Sequence, residues 1–275
     1  MPFLETNETR LHYQDWGAGR PVVFVHGWAV GGGCWEYQAL PLADRGLRCI
    51  TYDGRGCGRS DDPGRGYDYD TLSGDLAALI AHLDLRDAAL VGHSMGCGVI
   101  ARYLSRHGAG RVARVALAAT TTPFLKETDD NPDGLDVSVF EGLVARVRRD
   151  RARYVADIAP GFFGVGLPGC SASPEMMQWG IALAMQASPK ASVEMLRTNF
   201  STDQRADMGA VTVPTLVLHG DRDQSCPLGL TGRETARLIP GSRLVVYEGA
   251  PHGLFLTHTD RFNSDLLAFI GAEAT

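Results

Sequence analysis

The sequence predicts an α/β fold, a mostly parallel sheet flanked by helices, with a helical segment inserted into it. Three observations carry this reading. Short, nearly continuous apolar runs recur along the chain, as a sheet covered on both faces requires. Amphipathic stretches of helical length alternate with them. Between about residues 121 and 207 the strand-like runs stop while helical spacing continues. With 275 residues, 44% hydrophobic and 21% charged, the chain can bury one large core, or one core with an inserted subdomain.

Residues 11–16 (Leu-His-Tyr-Gln-Asp-Trp) alternate in polarity and predict an antiparallel hairpin strand at the sheet edge. The apolar runs at 21–25, 47–52, 88–91, 114–118, 215–218 and 244–247 predict the inner strands. Residues 69–83, 99–104 and 229–239 have helical spacing. The expected division is a core of residues 1–120 and 208–275 and a helical cap of 121–207. In the cap, Val139, Phe140, Leu143, Val144 and Val147 share one helical period. Met176, Met177, Trp179, Ile181, Leu183 and Met185 share another, and Pro160, Pro168, Pro174 and Pro189 punctuate them. Arg146, Arg148, Arg149, Arg151 and Arg153 alternate with Asp150 and Asp157, which predicts a solvated helix face.

The segment Gly92-His93-Ser94-Met95-Gly96 reads G-x-S-x-G between a predicted strand and a predicted helix. A sharp turn there would present the Ser94 hydroxyl at its apex, with the flanking glycines making room. A serine hydroxyl needs a base, an orienting acid and oxyanion donors before it can act as a nucleophile. Of the eight histidines, His252 lies in Gly249-Ala250-Pro251-His252-Gly253, just past the last predicted strand. Catalytic groups of parallel sheets gather at that end of the strands. His219-Gly220-Asp221-Arg222-Asp223 follows the strand before it and offers two acids. Asp221 is expected to cap its own turn, leaving Asp223 to hold the imidazole. The Met95 amide, and the Trp28 amide in His26-Gly27-Trp28, are the expected oxyanion donors. Ala29, Phe124, Phe140, Phe162 and Trp179 are the candidates for lining a substrate cavity above Ser94. The loop Gly54-Arg55-Gly56-Cys57-Gly58-Arg59-Ser60 lacks a P-loop lysine and predicts a tight turn rather than a phosphate cradle.

Composition excludes several classes. A formal net charge of −6 and a pI near 5.7 argue against nucleic acid or an anionic membrane as partner. No apolar run reaches membrane-spanning length. The six cysteines are scattered without C-x-x-C pairing, and no acidic or His-rich cluster suggests a metal. The first residues, Met-Pro-Phe-Leu-Glu, show no basic region followed by an apolar stretch, so a cytoplasmic protein with free thiols is expected.

Taken together, Phe24-Val25-His26-Gly27-Trp28, Tyr52-Asp53-Gly54-Arg55-Gly56-Cys57-Gly58-Arg59-Ser60, Leu90-Val91-Gly92-His93-Ser94-Met95-Gly96, Leu218-His219-Gly220-Asp221-Arg222-Asp223 and Ala250-Pro251-His252-Gly253 resemble the α/β-hydrolase superfamily. The nearest likeness is to its cofactor-free haloperoxidase (perhydrolase) and aryl-esterase branch. The resemblance implies an eight-stranded sheet, Ser94 as nucleophile, Asp223 as acid, His252 as base, and Trp28 and Met95 at the oxyanion hole. It implies hydrolysis of small carboxylic esters through an acyl-enzyme, with peroxide able to replace water and no cofactor or metal. It also implies homo-oligomers, since relatives of this kind assemble. Lactam or lactone opening and acyl transfer would use the same triad, and a hormone-receptor-like binding module is a further reading. His93 stands where this branch often has an aromatic residue. Ala29 is expected to enlarge the acyl pocket, and the glycines at 31–33 to leave the neighbouring segment flexible.

Overall fold

Aliphatic runs too apolar to face water on either side become the centre of one sheet. The computed structural model describes residues 2–6, 8–170 and 172–271. Among them eight strands form the sheet, β1 (Phe3–Glu5), β2 (Arg10–Gly17), β3 (Pro21–Val25), β4 (Arg48–Tyr52), β5 (Ala88–His93), β6 (Val112–Ala118), β7 (Thr215–Gly220) and β8 (Arg243–Tyr247). Their spatial order is β1-β2-β4-β3-β5-β6-β7-β8. The pairs β1–β2 and β2–β4 are antiparallel and the others parallel. Central β5 is buried at every position. Successive side chains alternate between the two faces. Val23 and Leu90 therefore join one apolar cluster with Leu76 and Ile100, while Val22 and Val91 join the other with Trp35, Phe255 and Phe262.

The structure corrects the expected edge strand. β2 does not end the sheet: it lies between β1 and β4, and its hairpin partner is β1, paired Leu4 to Leu11. Three residues of β1 are too few to show a period in the sequence.

The helices begin with α1 (Glu36–Ala43), α2 (Tyr69–His82) and α3 (Met95–His107), followed among the described residues by eight more. Between β6 and β7 come α4 (Val137–Arg149), α5 (Arg151–Phe162), α6 (Pro174–Met185) and α7 (Pro189–Ser201). After them follow α8 (Arg205–Gly209), α9 (Gly232–Leu238), α10 (Leu254–Thr257) and α11 (Thr259–Ile270). Local chemistry sets the ends: Asp68, Asp136, Asp150, Ser173 and Ser188 each cap a helix through the side chain. Pro174 and Pro189 occupy first-turn positions, where a missing N–H costs nothing. Pro160 is tolerated inside the last turn of α5 rather than ending it. Arg146, Arg148, Arg149 and Arg153 are exposed as expected. Arg151 is not: its guanidinium donates to the carbonyls of Ala184 and Ala187 at the end of α6.

The insertion α4–α7 has an apolar cluster of its own, built on Phe140, Val144, Val147, Tyr154, Val155, Val193 and Phe200. Named hydrogen bonds fasten it to the sheet. Trp28 Nε1 donates to Ser192 O at 2.8 Å, and Ser188 N to Gly56 O at 2.8 Å. Asn199 Oδ1 accepts from Tyr69 Oη at 2.8 Å and Thr121 Oγ1 at 2.7 Å. Among the described residues no helix is long and apolar enough to cross a membrane.

The loop after β4 is the tight turn its sequence predicts. Asp53 accepts from the amides of Gly32 at 2.7 Å and Arg59 at 2.9 Å. A Cβ on Gly58 would lie 2.4 Å from that same carboxylate. Arg55 turns inward and pairs bidentately with Asp75 of α2, at 2.7 and 2.8 Å, both side chains buried. Removing one partner leaves the other charge uncompensated in the interior. Asp75→Asn is expected to destabilise the protein by roughly 3–5 kcal/mol, measured as a lowered denaturant midpoint. A loss below about 1 kcal/mol, the size of a surface pair, would show that the turn does not lean on this contact.

Candidate active site

Ser94 joins β5 to α3 at φ 54° and ψ −122°, a conformation L-residues avoid. Its amide donates to Ala118 O of β6 at 2.9 Å, and its carbonyl accepts from Cys97 N at 3.0 Å, opening the helix. A Cβ on Gly96 would lie 2.3 Å from Val25 O, and one on Gly92 2.9 Å from Cys97 N. Both glycines are therefore required by backbone packed against them. Met95 is the first residue of α3, whose leading N–H groups lack intrahelical partners.

Asp223 sits on the loop after β7 with four donors around it. Oδ1 accepts from the amides of Ser225 at 2.9 Å and Cys226 at 2.8 Å. Oδ2 accepts from His252 Nδ1 at 2.7 Å, and His219 Nε2 lies 3.3 Å away. Burial alone would raise its pKa, but the facing His252 and His219 outweigh it and hold the carboxyl well below the usual range. The hydrogen bond fixes the proton of His252 on Nδ1 and leaves Nε2 with a free lone pair. Among the described residues Ser94 makes no hydrogen bond to this imidazole. Catalytic hydrogen bonds of this kind often tighten only when substrate binds.

The loop that carries His252 is supported from beneath. His93 Nε2 donates to His252 O at 3.1 Å, and its ring lies 4.7 Å from the rings of both His252 and Phe255. Burial, reinforced by His252, pulls the His93 pKa down to about 3, so the ring is neutral. Asp221 does not cap its own turn as expected. Its Oδ1 accepts from Gly249 N at 2.7 Å, tying the acid's loop to the loop that carries His252.

The loop after β3 passes against the serine, since a Cβ on Gly27 would lie 3.0 Å from Ser94 Cβ. His26 pins it. Nδ1 donates to Gly27 O at 2.7 Å and Nε2 accepts from Gly54 N at 2.8 Å. Burial lowers the His26 pKa, which keeps this donor–acceptor pair intact. Ala29 adopts φ 61° and is buried in a core cluster. The glycines beyond it are not slack. Gly32 N is hydrogen-bonded to Asp53, and a Cβ on Gly32 would meet Tyr52 O at 2.7 Å.

The expected pocket residues separate. Phe162 is at the site, its ring 5.7 Å from that of His252 and 5.9 Å from that of His93. Phe140 instead stacks on Phe200 at 3.9 Å inside the insertion's cluster. Phe124 lies under the Arg205 guanidinium. Trp179 packs edge-on against Tyr37 and lines a polar cleft of about 270 Å³ with His12, Asp53, Arg59 and Gln186. Helical spacing marks a residue such as Phe140 or Trp179 as apolar-facing without saying which surface it meets, and these contacts supply that surface.

Two residues at the site were missed by sequence reasoning. His219 donates to Cys226 O at 2.8 Å while facing Asp223. Cys226 brings its thiol to within 4.8 Å of ligand atoms of Asp223 and His252. The available signal was their spacing, four residues before and three after the acid.

Comparison with known proteins agrees with this geometry. The family model described as alpha/beta hydrolase fold matches residues 20–259. A non-heme haloperoxidase of Rhodococcus erythropolis is 42% identical over 98% of this chain and 99% of its own. A bifunctional esterase/perhydrolase of Acinetobacter calcoaceticus is 35% identical over 98% of this chain and 99% of its own. A crystal structure of bromoperoxidase from Bacillus anthracis superposes with a TM-score of 0.94 at 38% identity, covering 98% of this chain and 99% of that one. With its eight-stranded sheet, its serine turn and a match of this extent, the chain belongs to the α/β-hydrolase family.

Proposed function

We propose that this protein is a serine hydrolase of small carboxylic esters, acting through an acyl-enzyme on Ser94, with hydrogen peroxide as an alternative acceptor to water. The observation that carries the reading is the 2.7 Å hydrogen bond from His252 to a buried, ionised Asp223, on the loops beside the strained Ser94. His252 Nε2 takes the Ser94 proton as the hydroxyl attacks the ester carbonyl, and Asp223 stabilises the imidazolium that forms. The Met95 and Trp28 amides receive the oxyanion, each worth about 3 kcal/mol of transition-state stabilisation. The imidazolium then protonates the departing alcohol. Water, deprotonated by His252, attacks the acyl-enzyme and releases the carboxylic acid.

When peroxide attacks instead, the acyl–oxygen bond to Ser94 breaks and a peracid leaves. The peracid passes an oxygen to bromide or chloride in solution, giving hypohalous acid and returning the carboxylic acid. The relatives named haloperoxidase and esterase/perhydrolase support this second outcome. Residues 121–207 act as a cap over the serine, which is only 6% exposed; this favours short acyl groups. The six unpaired cysteines support a cytoplasmic setting.

Ser94→Ala is expected to lower kcat for p-nitrophenyl acetate by about 10⁴-fold or more while the protein stays folded. A fluorophosphonate should form one adduct, on Ser94; retained turnover or labelling elsewhere would remove the assignment. Bromination of a dimedone reporter should need both peroxide and a carboxylate such as acetate. Halogenation that persists in carboxylate-free buffer would contradict the peracid route.

The support under the base has its own pH signature. His93 has a folded-state pKa near 3 against 6.5 ordinarily, so below about 6.5 the unfolded chain takes up a proton that the native state refuses. Its contribution to stability therefore falls as pH drops, by up to about 1.4 kcal/mol per unit. His93→Phe removes that penalty. The stability of wild type relative to the variant should fall by roughly 1.6 kcal/mol between pH 6.5 and 5, read from denaturant midpoints. A constant gap would mean that His93 is protonated in the native state.

A further inference from the structure

The loop that carries Asp223 brings one more reactive group to the triad. The backbone of Cys226 is held at both ends: its amide donates to Asp223 Oδ1 at 2.8 Å and its carbonyl accepts from His219 at 2.8 Å. Its thiol is thereby fixed toward the site. A carboxylate oxygen of Asp223, the sulfur of Cys226 and a ring nitrogen of His252 all lie within 4.8 Å of one another, and all three residues are buried.

One sulfur, one imidazole nitrogen and one carboxylate oxygen form a donor set suited to thiophilic d¹⁰ cations. A tetrahedral ion with metal–sulfur near 2.3 Å and metal–nitrogen near 2.0 Å sets those donors about 3.6 Å apart. The widest pair must therefore close by roughly 1 Å at most. The charges also match, because a thiolate and a carboxylate together neutralise a divalent ion, so the filled site is neutral and can stay buried.

We propose that Asp223, Cys226 and His252 form a binding site for a soft divalent cation such as Zn²⁺ or Cd²⁺, whose occupancy switches the triad off. Without metal, burial keeps the thiol protonated. On binding, the S–H bond breaks, the proton leaves to solvent, and the sulfur lone pair goes to the metal. The imidazole gives the lone pair of Nδ1, the nitrogen beside Asp223, so the Nδ1–H hydrogen bond to Asp223 breaks and the ring proton moves to Nε2. Ser94 then has neither a free base nor its orienting acid. Hard cations such as Mg²⁺ prefer all-oxygen sites and are excluded.

The metal site rests on the donor geometry alone, and its test is separable from ester cleavage. Full-length Ser94→Ala, which keeps all three donors, is titrated with Cd²⁺ while the ultraviolet thiolate-to-cadmium charge-transfer band is followed. One equivalent should saturate the band. Adding Cys226→Val should abolish it, and adding His252→Ala should weaken affinity by about 10-fold or more. No band, or a band that survives Cys226→Val, overturns the proposal. In the otherwise wild-type enzyme, Zn²⁺ should inhibit p-nitrophenyl acetate cleavage and Mg²⁺ should not. Cys226→Val should raise the half-inhibitory Zn²⁺ concentration by about 10-fold or more, relative to the variant's own uninhibited rate. Equal sensitivity overturns it as well. Cys226→Ser, with a harder oxygen donor, gives the same comparison where valine perturbs folding.

Discussion

The site depends on one strained turn being held closed. Ser94 occupies backbone angles that cost of order 1–3 kcal/mol for a residue with a side chain. Nothing local favours them. They persist because β6 takes the Ser94 amide, α3 takes its carbonyl, and the β3 backbone passes so close to Gly96 that a methyl group would collide. Parallel strands on both sides of β5 set those three contacts. The sheet is thus a clamp on a single dihedral pair, and the buried hydroxyl sits at the apex of that clamp.

Asp223 solves the complementary problem of keeping a negative charge in a nearly dry place. Two peptide amides and two imidazoles surround it, so ionisation survives burial. The same network ties the two loops to each other. Asp221 ties to the Gly249 turn, and His93 ties to the carbonyl of His252. Asp223 and His252 are therefore positioned partly by contacts of neighbouring residues and backbone, beyond those of their own side chains.

Much of this was legible in the sequence because the chemistry leaves short, ordered marks. Strand–G-x-S-x-G–helix, His26-Gly27-Trp28 and the two late loops each required a residue type at a defined place. The inner strands were legible because burial on both faces erases alternation. β1 was not, because three residues carry no period. The surroundings of the aromatic candidates were not legible either, for a different reason. Phe140 and Phe124 have neighbours supplied from far along the chain, Phe200 and Arg205, and no local pattern records such a meeting. The glycines at 31–33 looked like slack. Three-dimensional contact shows instead that Gly32 is small because β4 runs directly beneath it.

Trp28 belongs to two neighbourhoods at once. Its backbone lies on the loop against Ser94, while its indole reaches across to the carbonyl of Ser192 and packs edge-on against Tyr154 of the insertion. Any tilt of α7 therefore pulls on the peptide assigned to the oxyanion. An engineer who grafts a foreign lid onto this barrel-less scaffold to broaden its diet would be retuning the rate constant too, unless the graft restores an acceptor for that indole.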